Sequence, residues 1–305
     1  LFFISTNSGL QNQFVINVRK GLDGEDKVFI DPNAIDPAGT TTFNMLGAST
    51  DNRYMAIGVS RAGSDWQEIE VWDLSTLSKT TDLLKWCKFS GAAWYKDGFF
   101  YSRYPEPAKG TELSAASKFQ KVYYHKLGDP QEKDALVWEN TENGDLYVGV
   151  GLTEGEEFAS LTISTGTDGY ETYFHDMRAG IPTPATKWIP LQQGFEHKTS
   201  IVDFVPATGK FLVMTEVDAP NYRLVEVDPA KPQQAGWKDI IPHKTDLLQG
   251  VSTGGGNLFA EYLKDATSRF YRYKLDGSGE QAIQLPDIGS AGGFGGERGD
   301  TFGFY

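Results

Sequence analysis

Cysteine is almost missing from this 305-residue chain. Cys87 is the only one, so neither an intrachain disulfide nor a cysteine-based zinc site can be built. Histidine is scarce too: there are four, His125, His175, His197 and His243. None has a nucleophile or metal partner at helical or short-loop spacing, so each reads as a strand or loop residue. No metal and no cofactor is called for. No window approaches the roughly eighteen uninterrupted apolar residues of a membrane-spanning helix. Three helical turns with an apolar face are missing as well, because Pro, Gly and Thr punctuate every candidate segment. Basic charge is in deficit. Lys and Arg number 28 against 41 Asp and Glu, a formal net charge of -13, which repels phosphate backbones and anionic lipid and argues against nucleic-acid or membrane partners.

What is present is one strand pattern after another. Hydrophobic residues make up 39% and aromatics 13%, enough for the core of one large all-β domain or two ordinary ones. The stretch Lys85 to Tyr104, KWCKFSGAAWYKDGFFYSRY, contains the repeating unit. Phe89, Gly91 to Trp94 and Phe99 to Tyr101 favour a half-buried pleated surface, and Lys96-Asp97-Gly98 supplies a tight turn. Similar turns fall at Thr50-Asp51-Asn52, Glu154-Gly155, Ala207-Thr208-Gly209, Gly254 to Gly256 and Arg298-Gly299-Asp300. Their spacing of about 45 to 55 residues is the period of four-stranded propeller blades. Third strands follow at Glu68 to Leu74, Lys121 to Leu127, Glu171 to Met177, Tyr222 to Asp228 and Arg269 to Leu275.

Five blades begin near Phe43, Phe89, Leu146, Ser200 and Leu247. Ahead of them, Phe2 to Ile4, Phe14 to Val18 and Val28 to Ile30 give three strands without an inner one; behind them stand two, Ser290 to Gly293 and Thr301 to Tyr305. The expected fold is all-β, a seven-bladed β-propeller over residues 1–305 with incomplete first and last blades. Inner strands are expected near Ala48, Trp94, Val150, Phe204, Val251 and Gly293. Unpaired edges at both ends are a liability, so a longer polypeptide is expected.

Seven ordered motifs now carry a resemblance. GLQNQ (Gly9 to Gln13), FIDPN (Phe29 to Asn33), SRAGSDW (Ser60 to Trp66), KFSG (Lys88 to Gly91), GFFYSRYP (Gly98 to Pro105), KVYYHKLG (Lys121 to Gly128) and DAPNYRLVEVD (Asp218 to Asp228) together resemble the propeller of prolyl oligopeptidases, the post-proline serine peptidases. The resemblance implies a propeller capping an α/β-hydrolase domain of the same polypeptide and inserted between that domain's two segments. Short proline-containing peptides would be admitted to the serine and folded proteins excluded. It also implies site residues. Phe89 corresponds to an aromatic lining the pocket for the substrate residue two before the proline, against a plain reading as strand core. Asp65 corresponds to an acidic residue that meets a substrate-binding arginine of the hydrolase domain, against a turn residue capping its own backbone. Tyr147 and Thr167 stand where other pocket residues of the family align, often Met and Cys.

Catalytic residues are not expected within these 305 residues. Gly250-Val251-Ser252-Thr253-Gly254 fits the G-x-S-x-G pattern of a hydrolase nucleophile, but Gly255, Gly256 and NLFAEYL follow it, which reads as a hairpin. Cys87 stands two residues before Phe89, so strand alternation would place both on one face; it is either a thiol near the cavity or a buried, inert residue. A free-standing peptide- or protein-binding propeller and a propeller glycosidase are the competing classes, and the scattered Asp and Glu residues form no carboxylate pair for the latter.

Overall fold

The alternation of apolar and polar side chains, punctuated by Gly, Asp and Asn, folds locally into antiparallel meanders. A computed structural model describes the chain except residues 113, 115, 288 and 302–305. The first sheet holds β1 (Phe2–Thr6), β2 (Val15–Arg19) and β3 (Lys27–Ile30) in that order. The single helical turn α1 (Pro32–Ile35) follows; Asp31 caps it by accepting from the backbone N–H groups of Asn33 and Ala34. Next come β4 (Thr42–Ala48), β5 (Tyr54–Ser60), β6 (Gln67–Asp73) and β7 (Ser78–Cys87), then β8 (Ala93–Tyr95), β9 (Gly98–Arg103), β10 (Lys121–Lys126) and β11 (Ala135–Trp138). In the strand ladder these two four-stranded sets are joined by the pair Cys87 and Arg103 between β7 and β9. Three more four-stranded sheets complete the described strands. They are β12 (Tyr147–Leu152) to β15 (Ile189–Gln192) through β13 (Phe158–Ser164) and β14 (Tyr170–Asp176); β16 (Thr199–Val205) to β19 (Lys238–Ile241) through β17 (Lys210–Thr215) and β18 (Arg223–Val227); and β20 (Leu247–Gly254) to β23 (Gln281–Ile283) through β21 (Asn257–Lys264) and β22 (Thr267–Lys274).

Contacts gather into two compact units, Leu1–Val150 with Thr183–Ala185, and Gly151–Pro182 with Thr186–Tyr305. Within the first, Ile16, Val18 and Phe29 pack on Met55, Ile57, Val59 and Trp72, while Ala56, Ile69, Val71 and Leu84 pack on Trp94, Phe99 and Tyr101. The middle sheet is therefore covered on both faces, which is why β5 is apolar almost throughout rather than alternating. Within the second unit, Phe158 and Phe174 meet Phe211, Val213 and Val225, and Leu224 and Ile241 belong with Leu258, Ala260 and Tyr262.

Direction alternates from strand to strand, so the connections that leave odd-numbered strands of the first unit lie at one end. Hydrogen bonds tie them to one another. Asn33 donates to Gln13 O at 2.9 Å, Gly63 N to Thr40 O at 3.2 Å, Trp66 Nε1 to Glu112 O at 2.6 Å and Phe119 N to Gly144 O at 2.8 Å.

Four of the five blade starts and the three-stranded beginning match the sequence reading. Two details do not. The inner strand expected near Phe89 starts at Ala93, and β7 ends at Cys87, so Cys87 and Phe89 share no strand face. Left-handed backbone at Trp86 (φ 62°) and Phe89 (φ 54°) breaks the alternation there. Ser290–Gly293 forms no strand either; residues 294–297 instead lie along β20, with Gly296 N donating to Thr253 O at 3.1 Å and Gly255 N to Glu297 O at 2.9 Å. The strand expected at Thr301 to Tyr305 lies, Thr301 aside, outside the described residues.

Candidate functional site

Two large apolar side chains stay in solvent beside each other at the connection end of the first unit. Phe89 is 64% exposed and Tyr147 40% exposed, and their rings meet edge to face with centroids 5.5 Å apart at 77°. That is a favourable aromatic geometry, and leaving so much ring surface wet is costly unless something covers it. Lys88 sits behind the pair. Its Nζ lies 5.6 Å from the Phe89 ring centre and 5.5 Å from that of Trp66, and it pairs with Asp65 Oδ2 at 2.5 Å. Trp66 in turn packs edge-on against Trp86 and Tyr104. Burial first, and the neighbouring Tyr147 second, push the Tyr104 phenol up to about 12.

Three of the four site residues read from the sequence thus converge: Phe89 touches Tyr147, and Asp65 reaches them through Lys88. Exposure excludes the core reading of Phe89. Thr167 belongs to the second unit, exposed in the bend between β13 and β14. Sequence reasoning passed over the residue that holds the pair. Gln120 is 2% exposed; its Nε2 donates to Lys88 O at 2.8 Å and its Oε1 accepts from Val148 N at 2.8 Å. One amide therefore fixes the residue before Phe89 and the residue after Tyr147. A lone Gln at the end of a long connection carries no sequence pattern that would single it out.

Ser252 lies on β20, not on a strand-to-helix turn, and its hydroxyl donates to Phe294 O. Cys87 is fully buried, and burial drives its thiol pKa far up, with nearby Arg103 opposing only in part; of its two readings the inert one holds. His175 contacts Gly180 O through Nε2. His125 is a strand histidine, on β10, and it is clamped between two carboxylates, with Nδ1 2.7 Å from Asp134 and Nε2 3.0 Å from Asp82. Among the described residues no group of three His, Cys, Asp or Glu could hold a metal, and no helix is long and apolar enough to cross a membrane.

Successive four-stranded antiparallel meanders, packed face on face within each unit, define the class: a β-propeller, here with an exposed aromatic pair formed by the connection after β7 and the first residue of β12. Residues 1–305 match the family described as "Prolyl oligopeptidase, N-terminal beta-propeller domain". The chain belongs to that family. It is 36% identical over 297 residues to a prolyl endopeptidase of Elizabethkingia meningoseptica, covering 97% of this chain and 41% of that protein. Prolyl oligopeptidase A of Galerina marginata is 28% identical over 329 residues, with 97% of this chain and 44% of that protein covered. A structure from a study of two prolyl endopeptidases and the role of their inter-domain dynamics superposes with a TM-score of 0.87 at 27% identity, over 99% of this chain and 44% of that one. The chain spans about two fifths of the length of these relatives.

Proposed function

We propose that residues 1–305 form the single propeller domain of a serine-type prolyl oligopeptidase, which limits entry to the active site and lines part of it for short peptides cut after proline. The partner would be an α/β-hydrolase domain of the same polypeptide, and the nucleophile, acid and base would come from it. The observation that carries this reading is the exposed Phe89–Tyr147 pair, held rigid and left uncovered on an end that also bears Asp65. An apolar substrate side chain two before the proline would stack on Phe89, worth about 0.5–1.5 kcal/mol beyond area burial. Asp65, already neutralising Lys88, would hold an arginine of the hydrolase domain. Tyr147 would narrow the subsite, and Thr167 would be a further substrate-binding residue.

The test is Phe89→Ala in the full-length polypeptide. The expected result is a kcat/KM lowered about three- to thirty-fold for substrates with a bulky residue at that position and little changed for glycine. Equal losses for both substrates would end the pocket assignment. Full-length protein that cleaves no proline-containing peptide would end the whole reading.

A further inference from the structure

We infer that Gln120 is a positioning residue that determines subsite selectivity, by clasping the strained connection that presents Phe89 to the start of β12, which presents Tyr147; this rests on the pocket reading above. Three aromatic residues around the clasp hold left-handed backbone: Trp86 at φ 62°, Phe89 at φ 54° and Phe119 at φ 62°. A bulky side chain adopts that region only when its surroundings impose it, and such outliers gather where a site must be held ready. Here the imposing groups are visible. Gln120 Nε2 binds the carbonyl just before Phe89, and Ser90 just after it donates Oγ to Gly91 O and accepts from Ser102 N, each at 2.8 Å. On the opposite side Gln120 Oε1 accepts the N–H of Val148, itself 4% exposed.

Three consequences follow from that geometry. Gln120 gives a partner to both Lys88 O and Val148 N, so losing the amide removes both hydrogen bonds at once. With the clasp gone, the Phe89 backbone is free to relax toward a negative φ, which swings the ring away from Tyr147. And because the amide joins the connection after β7 to the start of β12, the spacing of the two rings depends on one side chain rather than on either segment alone.

Gln120→Met keeps the volume and removes both hydrogen bonds. In the full-length enzyme it is expected to lower kcat/KM about tenfold for substrates bulky two before the proline, through KM, with little change for glycine. In the double variant with Phe89→Ala the bulky-to-glycine ratio should fall no further than with Phe89→Ala alone. The Val148 amide should also exchange with solvent at least tenfold faster. Equal losses on both substrates, or additive losses in the double variant, would overturn the assignment. A changed Val148 exchange rate with an unchanged ratio would overturn it too, marking the clasp as structural only. If Phe89→Ala alone leaves the ratio unchanged, the pocket reading has failed instead, and the exchange rate still decides whether Gln120 holds Val148. Should Gln120→Met not fold, Gln120→Glu replaces it. Its carboxylate still accepts from Val148 N but donates to Lys88 O only when protonated, so the ratio should recover toward that of the parent as the pH is lowered. A pH-independent ratio in that variant would overturn the assignment.

Discussion

Replacing His125 by Gln removes a buried cation from between two carboxylates, and the structure sets the size and pH dependence of the loss. His125 is fully buried on β10; Asp134, on the turn before β11, also accepts from Tyr101 Oη at 2.7 Å, and Asp82 on β7 also accepts from Gly128 N at 2.6 Å and Thr80 Oγ1 at 2.7 Å. Burial alone would lower the imidazole pKa, but the hydrogen bonds to Asp134 and Asp82 outweigh it and raise it from 6.5 to about 9. Burial likewise opposes the ionised form of Asp82, and His125, Thr80 and Gly128 together hold that group down at about 2. A folded-state pKa above the unfolded one stabilises at low pH. The His125 contribution is fully present below pH 6.5 and is lost as pH rises to about 9, a span worth about 3 kcal/mol. Asp82 acts in the opposite sense, its contribution being lost as pH falls from 3.8 to about 2. The two shifts describe one interaction from its two ends and are not added. At pH 6, His125→Gln leaves both carboxylates without their shared counter-charge, at a cost of about 3–5 kcal/mol. Equilibrium urea unfolding of parent and variant from pH 5 to 9.5 is the assay. The parent should lose stability between pH 6.5 and 9 while the variant stays flat, so that the gap narrows by about 3 kcal/mol. Parallel profiles would refute a charged clamp.

Further outcomes are expected elsewhere. Arg298 meets the buried Asp203 with Nη2 at 2.9 Å and approaches Glu154 and Glu157; Arg298→Ala should cost about 3 kcal/mol and speed proteolysis within residues 292–300, and an unchanged cleavage pattern would count against that anchor. A Cβ on Gly98 would stand 2.0 Å from His125 O, so Gly98→Ala should lower the urea midpoint by the equivalent of about 2 kcal/mol or more; a neutral variant would contradict the register of β9 and β10. Ser252→Ala should leave peptide cleavage by the full-length polypeptide within a few fold, whereas a loss beyond about a hundredfold, the size expected for a catalytic group, would reinstate Ser252 as a nucleophile. Cys87 should resist a thiol reagent in native buffer and react once urea unfolds the chain; rapid native labelling would contradict its burial.

What the sequence determined by itself is what short-range chemistry controls. Side-chain alternation of period two, interrupted by Asp, Gly and Asn at turns, marks β6, β9, β10, β14, β18 and β22 within a residue or two, because strand and turn preferences act between neighbours along the chain. The same local logic placed Ser252 in a hairpin, since glycines follow it directly. It failed at Phe89, where alternation predicted a shared face with Cys87. The left-handed turn that exposes Phe89 is held by Gln120, 32 residues from Lys88, and no local preference encodes that bond. His125 was unreadable for the same reason: Asp82 is 43 residues away and Asp134 nine. Strand identity is thus a property of neighbours in sequence. Which aromatic stays in solvent, and which histidine carries a buried charge, is decided only when distant connections and strands come within hydrogen-bonding reach, because burial and pairing are properties of neighbours in space.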